Sequence, residues 1–257
     1  MIDFSALGLH VHLPVQVVAI CIVFFVAGIV KGVTGMGLPT IAMGLLGTMM
    51  PPIGAASLLI LPSFVTNVWQ LLAGPSVIAL LSRLWLMMLG IVVGTVCGSW
   101  LLRNDSAGWA VVGLGCVLIL YAGVGLRAWQ WSIPPRMERG LSPAVGVLTG
   151  LITGATGVFV IPAVPYIQAL GLKREDLIQA LGLSFTVSTI ALALGLARGD
   201  ALRLDNLAAS MAAVAPALLG MWLGQRIRRR ISPASFRRWF FVCLLLLGIH
   251  LVLQRLL

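Results

Sequence analysis

The stretch Gly28-Ile29-Val30-Lys31-Gly32-Val33-Thr34-Gly35-Met36-Gly37-Leu38-Pro39 lies inside a long apolar segment, yet it is crowded with residues that weaken a helix. It also sets a lysine in what should be hydrocarbon. A second copy follows about 120 residues later: Gly150-Leu151-Ile152-Thr153-Gly154-Ala155-Thr156-Gly157-Val158-Phe159-Val160-Ile161-Pro162. Both copies read Gly-x-x-x-Gly-x-Thr-Gly, with a proline four or five residues on. Glycine-interrupted apolar segments at matching places in two halves are the sequence mark of a transporter's binding site. The rest of the chain is read around this pair.

Of 257 residues, 60% are hydrophobic and 9% charged, with a mean hydropathy of +1.08. A soluble domain carries about 25% charged residues, so the expected class is an all-α polytopic membrane protein with little mass outside the bilayer. The formal charge of +10 does not call for nucleic acid, because basic residues collect in cytoplasmic loops of membrane proteins. Cys21, Cys97, Cys116 and Cys243 stand singly in apolar runs, without metal-ligand or disulfide spacing. Asp3 is the only charge before Lys31 and no cleavage pattern follows, so the N-terminal segment is expected to stay in the mature protein.

The organisation read from hydropathy is a lead at 1–13, a first transmembrane repeat at 14–128, a linker at 129–141 and a second repeat at 142–257. The lead holds His10 and His12, and Trp129, Trp131, Pro134 and Pro135 mark the linker. Each repeat opens with an apolar block too long for one span of about 20 residues: 14–50, divided between Gly32 and Pro39, and 142–171, divided between Gly154 and Pro162. Three further apolar segments follow in each half: 53–73, 84–102 and 107–126, then 177–197, 207–225 and the remainder. The third segments share a second repeated pattern. Gly94-x-x-x-Gly98 and Gly220-x-x-x-Gly224 are offset by 126 residues, as are Ser106 and Ser232, the first a candidate helix cap. These four glycines are assigned to close helix packing, and as exposed faces they permit a homodimer without requiring one.

The basic residues choose between two topologies. If all eight segments cross fully, they divide seven against ten, a weak bias. If instead each half opens with a hairpin broken at its glycines, twelve fall on one side: Arg83, Arg127, Arg136, Arg139, Lys173, Arg174, Arg226, Arg228, Arg229, Arg230, Arg237 and Arg238. Arg103, Arg198, Arg203 and Arg255 fall on the other, with Lys31 within the membrane. The second arrangement obeys the positive-inside rule and gives inverted halves with the N-terminus outside.

The chemistry at the centre follows from residue types. An ammonium at mid-membrane costs about 2.5–3.5 kcal/mol by insertion scales, so Lys31 either meets a compensating anion or snorkels to an interface. Gly32, Gly35, Gly37, Gly154 and Gly157 are candidates for close backbone approach to a substrate, with freed backbone N–H groups to hold it. Thr34 and Thr156 either donate to a substrate oxygen or bond a carbonyl of their own helix; Thr153 stands where the first copy has Lys31. Pro39 and Pro162 restart or kink the chain. None of the seven acids, Asp3, Asp105, Glu138, Glu175, Asp176, Asp200 and Asp205, lies deep in an apolar segment. That argues against a cation carrier or a carboxylate relay and tilts the cargo towards a small anion. A phosphate loop, a zinc-protease motif and a nucleophile elbow are all missing from the sequence, and neither enzyme chemistry nor a cofactor is expected.

With these residues the chain resembles the TauE/SafE family of membrane permeases, also called the sulfite exporter or TSUP family. The resemblance rests on the duplicated plan, the stretches at 28–39 and 150–162, the Gly-x-x-x-Gly third segments and the closing run at 220–238. It implies transport of small anions: sulfite, sulfonates and related oxidised organosulfur compounds. Where that family's second copy often carries further glycines before its proline, this chain has Val158-Phe159-Val160, which makes that half bulkier and more apolar. The alternative function is a non-transporting membrane component, an assembly partner or sensor subunit; a closed, wholly apolar interior at the glycine pair would favour it, and a polar-lined pocket there would favour transport.

Overall fold

A computed structural model describes residues 13–103, 108–127, 132–197, 204–228, 230 and 233–256. The lead with His10 and His12, the Ser106 and Ser232 positions and the tryptophan pair of the linker lie outside the described residues. Ten helices and no strand are present among those described: α1 Leu13–Thr34, α2 Leu38–Gly47, α3 Pro52–Leu72, α4 Val77–Arg103, α5 Trp109–Arg127, α6 Pro135–Thr156, α7 Ala163–Ala169, α8 Arg174–Ala197, α9 Leu204–Ile227 and α10 Pro233–Leu256. The two long apolar blocks are broken as the sequence requires, α1 from α2 at residues 35–37 and α6 from α7 at 157–162.

Seven helices are long and apolar enough to cross a membrane: α1, α3, α4, α5, α8, α9 and α10. α6 is as long as α1, 22 residues, about 33 Å at 1.5 Å per residue. Its first turns, however, carry Arg136, Glu138 and Arg139. The surface is apolar, and polar residues are set within a mainly apolar core. Ile22, Trp69, Ile78, Leu89 and Leu246 are exposed, while Ser63, Thr66, Asn67, Thr95, Thr149 and Ser188 are fully buried. That is the arrangement hydrocarbon demands, because polar side chains then face the bundle interior.

Small residues decide which helices meet. Gly90, Gly94 and Gly98 of α4 lie against Gly146, Gly150 and Gly154 of α6; a Cβ added at Gly94 would stand 2.9 Å from the Leu151 amide nitrogen, and one at Gly150 2.6 Å from that of Thr95. Gly28 and Gly32 of α1 meet Ala217, Gly220 and Gly224 of α9 in the same way. So the first helix of each half packs, running parallel, against the third long helix of the other half. The Gly-x-x-x-Gly faces are used up inside one chain, and Gly94, Gly98, Gly220 and Gly224 are buried. The expectation that such faces could serve a homodimer is corrected here: a partner could not reach them.

The remaining pairs join matching helices. α3 and α8 run antiparallel, with Gly74 against Gln179, Gly182 against Gln70 and Asn67 bonded to Thr189. α5 and α10 are also antiparallel, with Gly115 against Gly248 and Gly125 against Phe241. α2 folds back from the end of α1: Gly37 lies beside Val30 and Phe240, Gly44 beside Leu247, and Gly47 within reach of Leu114 and Leu251. The first apolar block is thus a helix of 22 residues followed by a return of ten.

Candidate functional site

Lys31 does not snorkel. Its side chain is buried, with the ammonium 3.1 Å from Thr66 Oγ1 and bonded to Asn67 Oδ1. Asn67 in turn donates through Nδ2 to Thr189 Oγ1 at 3.2 Å, and the Thr189 hydroxyl donates to the Phe185 carbonyl at 2.7 Å. The Thr66 hydroxyl donates to the Pro62 carbonyl at 2.7 Å. This chain of bonds joins α1, α3 and α8 through residues that are all 2% exposed or less. The partners of the lysine are neutral oxygens, and an ammonium has three donors. The side-chain oxygens of Ser63, Thr95, Ser184 and Ser188 are buried without a hydrogen-bond partner in the protein. Ser63 stands one turn before Thr66 and Asn67 on α3, and Ser188 immediately precedes Thr189 on α8.

These α3 and α8 residues were missed in the sequence reading, although a signal existed. Ser63, Thr66, Asn67 and Gln70 are spaced i, i+3, i+4 and i+7, one polar stripe on an apolar helix. Gln70 bridges the same region, its amide donating to the Gly35 carbonyl at 2.9 Å and the Ile178 carbonyl at 2.8 Å. Gln179 does similar work from α8, donating to Leu71 and Gly74 carbonyls at 2.7 and 2.6 Å.

The residues of the two repeated stretches fall into different roles. Gly35 and Gly157 take left-handed backbone, with φ of 78° and 73°, and end their helices; the Gly35 amide bonds the Lys31 carbonyl at 2.7 Å and the Gly157 amide that of Thr153 at 2.8 Å. Gly37, with φ of 99°, opens α2, and Pro39 sits in the first turn of that helix. Pro162 immediately precedes α7. Thr34 and Thr156 seal the breaks. Each bonds the carbonyl four residues back, Val30 at 2.9 Å and Ile152 at 2.7 Å, and each accepts the amide two residues on, Met36 at 3.1 Å and Val158 at 3.3 Å. Thr153 bonds Thr149 of its own helix at 2.7 Å.

One expectation is therefore corrected. Gly32 and Gly154 border no ligand space, because the backbones of α9 and α4 fill the room beside them. At the breaks themselves, the first two amides of each are taken up, those of Gly35 and Gly157 by preceding carbonyls and those of Met36 and Val158 by the threonines. Both breaks border α5, Met36 touching Tyr121 and Thr156 lying beside Gly113, and Gly157 also lies against Met43 of α2, the helix that Gly37 opens. The Lys31–Asn67–Thr189 cluster joins the two halves.

A cation, amides and hydroxyls in a dry interior can compensate a small oxyanion. The described residues hold no cluster of His, Cys, Asp and Glu fit for a metal ion. Of the acids among them, Glu138 pairs with Arg83 at 2.7 Å, and Glu175 and Asp176 occupy the first turn of α8.

A multi-pass membrane protein with a polar centre and an internally paired set of helices is the class these features define. The family model for sulfite exporter TauE/SafE matches residues 20–251. The chain belongs to the TauE/SafE family, a family of membrane transporters. No curated protein and no solved structure matches it.

Proposed function

We propose that this protein is a secondary permease for small anions, sulfite, sulfonates or related organosulfur and carboxylate compounds, and that the anion binds at Lys31 with Thr66, Asn67 and Thr189. The single observation that carries the reading is a buried lysine whose side-chain nitrogen has only neutral partners. An uncompensated charge in a low-dielectric interior is costly, and an anionic cargo would remove that cost while it is bound. The unpartnered hydroxyl of Ser63, one turn from Thr66 and Asn67 on α3, would supply a further donor. The buried polar cluster of Lys31, Thr66, Asn67 and Thr189 supports transport over a passive assembly or sensor role. The family's name supplies the sulfur-oxyanion class.

Transport would proceed by alternating access between inverted halves. Support for inversion comes from α3 with α8 and α5 with α10, matching helices that pair antiparallel. A two-fold axis along the membrane normal would leave them parallel; one in the membrane plane reverses them. With the arginine-rich ends facing the cytoplasm, the N-terminus lies outside, in a bacterial-type inner membrane.

The test is flux of labelled sulfite and sulfonates in proteoliposomes. Wild type and a Gly123→Ala control, whose new methyl has nothing within 4 Å, should transport equally. Lys31→Ala should lower the rate by about tenfold to a hundredfold, the worth of one charge-assisted hydrogen bond. If no anion moves through the wild type, the proposal fails.

A further inference from the structure

At the arginine-rich end of the α4–α6 pair the two helices leave a cleft of about 830 Å³. Arg83 and Trp85 of α4 face Arg136, Glu138 and Arg139 of α6 across it. Arg83 and Glu138 satisfy one another through two bonds of 2.7 Å. The Tyr166 hydroxyl donates to the Glu138 carbonyl at 3.0 Å and meets the Ser142 hydroxyl at 2.6 Å, which fixes the turn bearing the carboxylate. Arg136 and Arg139 remain exposed, one turn apart. Three guanidiniums against one carboxylate leave the cleft with two positive charges. Guanidinium forks match phosphate oxygens bidentately.

The surroundings say which phosphate. From the cleft, the outer face of the same two helices runs towards mid-membrane as an apolar strip of Leu89, Val93, Leu148 and Leu151, all exposed. Trp85, 53% exposed, stands at the junction of the charged cleft and that strip, where tryptophan favours the headgroup level. A dianionic solute would use the cleft and ignore the strip; a phospholipid uses both. Basic pockets between helices on the cytoplasmic side suit anionic headgroups. We propose that this cleft holds the headgroup of an anionic phospholipid, with an acyl chain along α4 and α6. The site is separate from Lys31 and does not depend on the transport reading.

Full-length protein in neutral detergent is unfolded by heat with added phosphatidylglycerol, phosphatidylcholine or inorganic phosphate. Phosphatidylglycerol should raise Tm by about 5 °C over phosphatidylcholine, and inorganic phosphate should not. Arg136→Gln/Arg139→Gln should lose that preference, whereas Arg237→Gln/Arg238→Gln, with the same change in charge, should keep it. Equal effects of both lipids, an equal effect of inorganic phosphate, or equal loss in the two double variants would overturn the assignment. A second readout needs no arginine variant: phosphatidylglycerol brominated on its acyl chain should quench tryptophan fluorescence more than the brominated choline lipid, and Trp85→Phe should abolish the difference. Its persistence in Trp85→Phe would also overturn the site.

Discussion

At the scale of single residues, Lys31 illustrates how a charge persists in hydrocarbon. Burial removes its water, and Thr66, Asn67 and Thr189 replace part of that shell with neutral dipoles from two other helices. Asn67 matters most in this arrangement, since its oxygen faces the ammonium and its amide reaches across to α8. Asn67→Leu should lower stability by about 1–3 kcal/mol, because it strands a buried charged donor, and should impair flux as well; thermal unfolding and proteoliposome assays check the two effects. Thr34→Val should be milder. It removes a local bond worth about 1 kcal/mol at the end of α1 and leaves the lysine's partners in place, so flux should fall less than in Lys31→Ala. Equal losses in those two variants would mean that the threonine is part of the binding site.

At the scale of elements, the glycines divide by the room beside them. Gly32 and Gly154 face the backbone of a neighbouring helix. A leucine at either should cost about 1–3 kcal/mol or more through overpacking, seen as a lower Tm or loss of the protein from the membrane. Gly35 and Gly157 are needed for another reason. Their positive φ burdens any L side chain by about 1–2 kcal/mol, so Gly35→Ala should destabilise although only Ile178 lies within 4 Å of the new methyl. Both classes look identical in the sequence pattern Gly-x-x-x-Gly-x-Thr-Gly. The pattern announced that the segments break; which glycine packs and which one turns depends on the helix that comes to lie beside it.

At the scale of the whole molecule, charge and packing converge. Gly32 at the end of α1 packs against Gln225 of α9, and Gln70 bonds the carbonyls of Gly35 and Ile178, which places the end of α9 and the start of α8 on one face. With Lys31 inside, the sidedness argued from loops can be tested by cysteine labelling in a background lacking Cys21, Cys97, Cys116 and Cys243. Single cysteines at Arg127, Arg136, Lys173 and Arg237 should react from one side of sealed vesicles, and those at Arg103 and Arg255 from the other. Reaction of Arg136 and Arg103 positions from the same side would exclude inverted halves.

The chain's composition was sufficient to place it in a bilayer, because hydropathy is a sum over residues and needs no partners. The duplicated glycine stretches were sufficient to locate the helix breaks, because cap and turn chemistry is local. The meeting of α1 with α9 and of α4 with α6 belongs to the tertiary structure alone: small residues permit close approach to any helix, and only the folded bundle supplies a particular one. The same holds for the polar centre. Asn67 and Thr189 stand 122 positions apart, and no local rule says that the antiparallel crossing of α3 and α8 will bring them within a hydrogen bond.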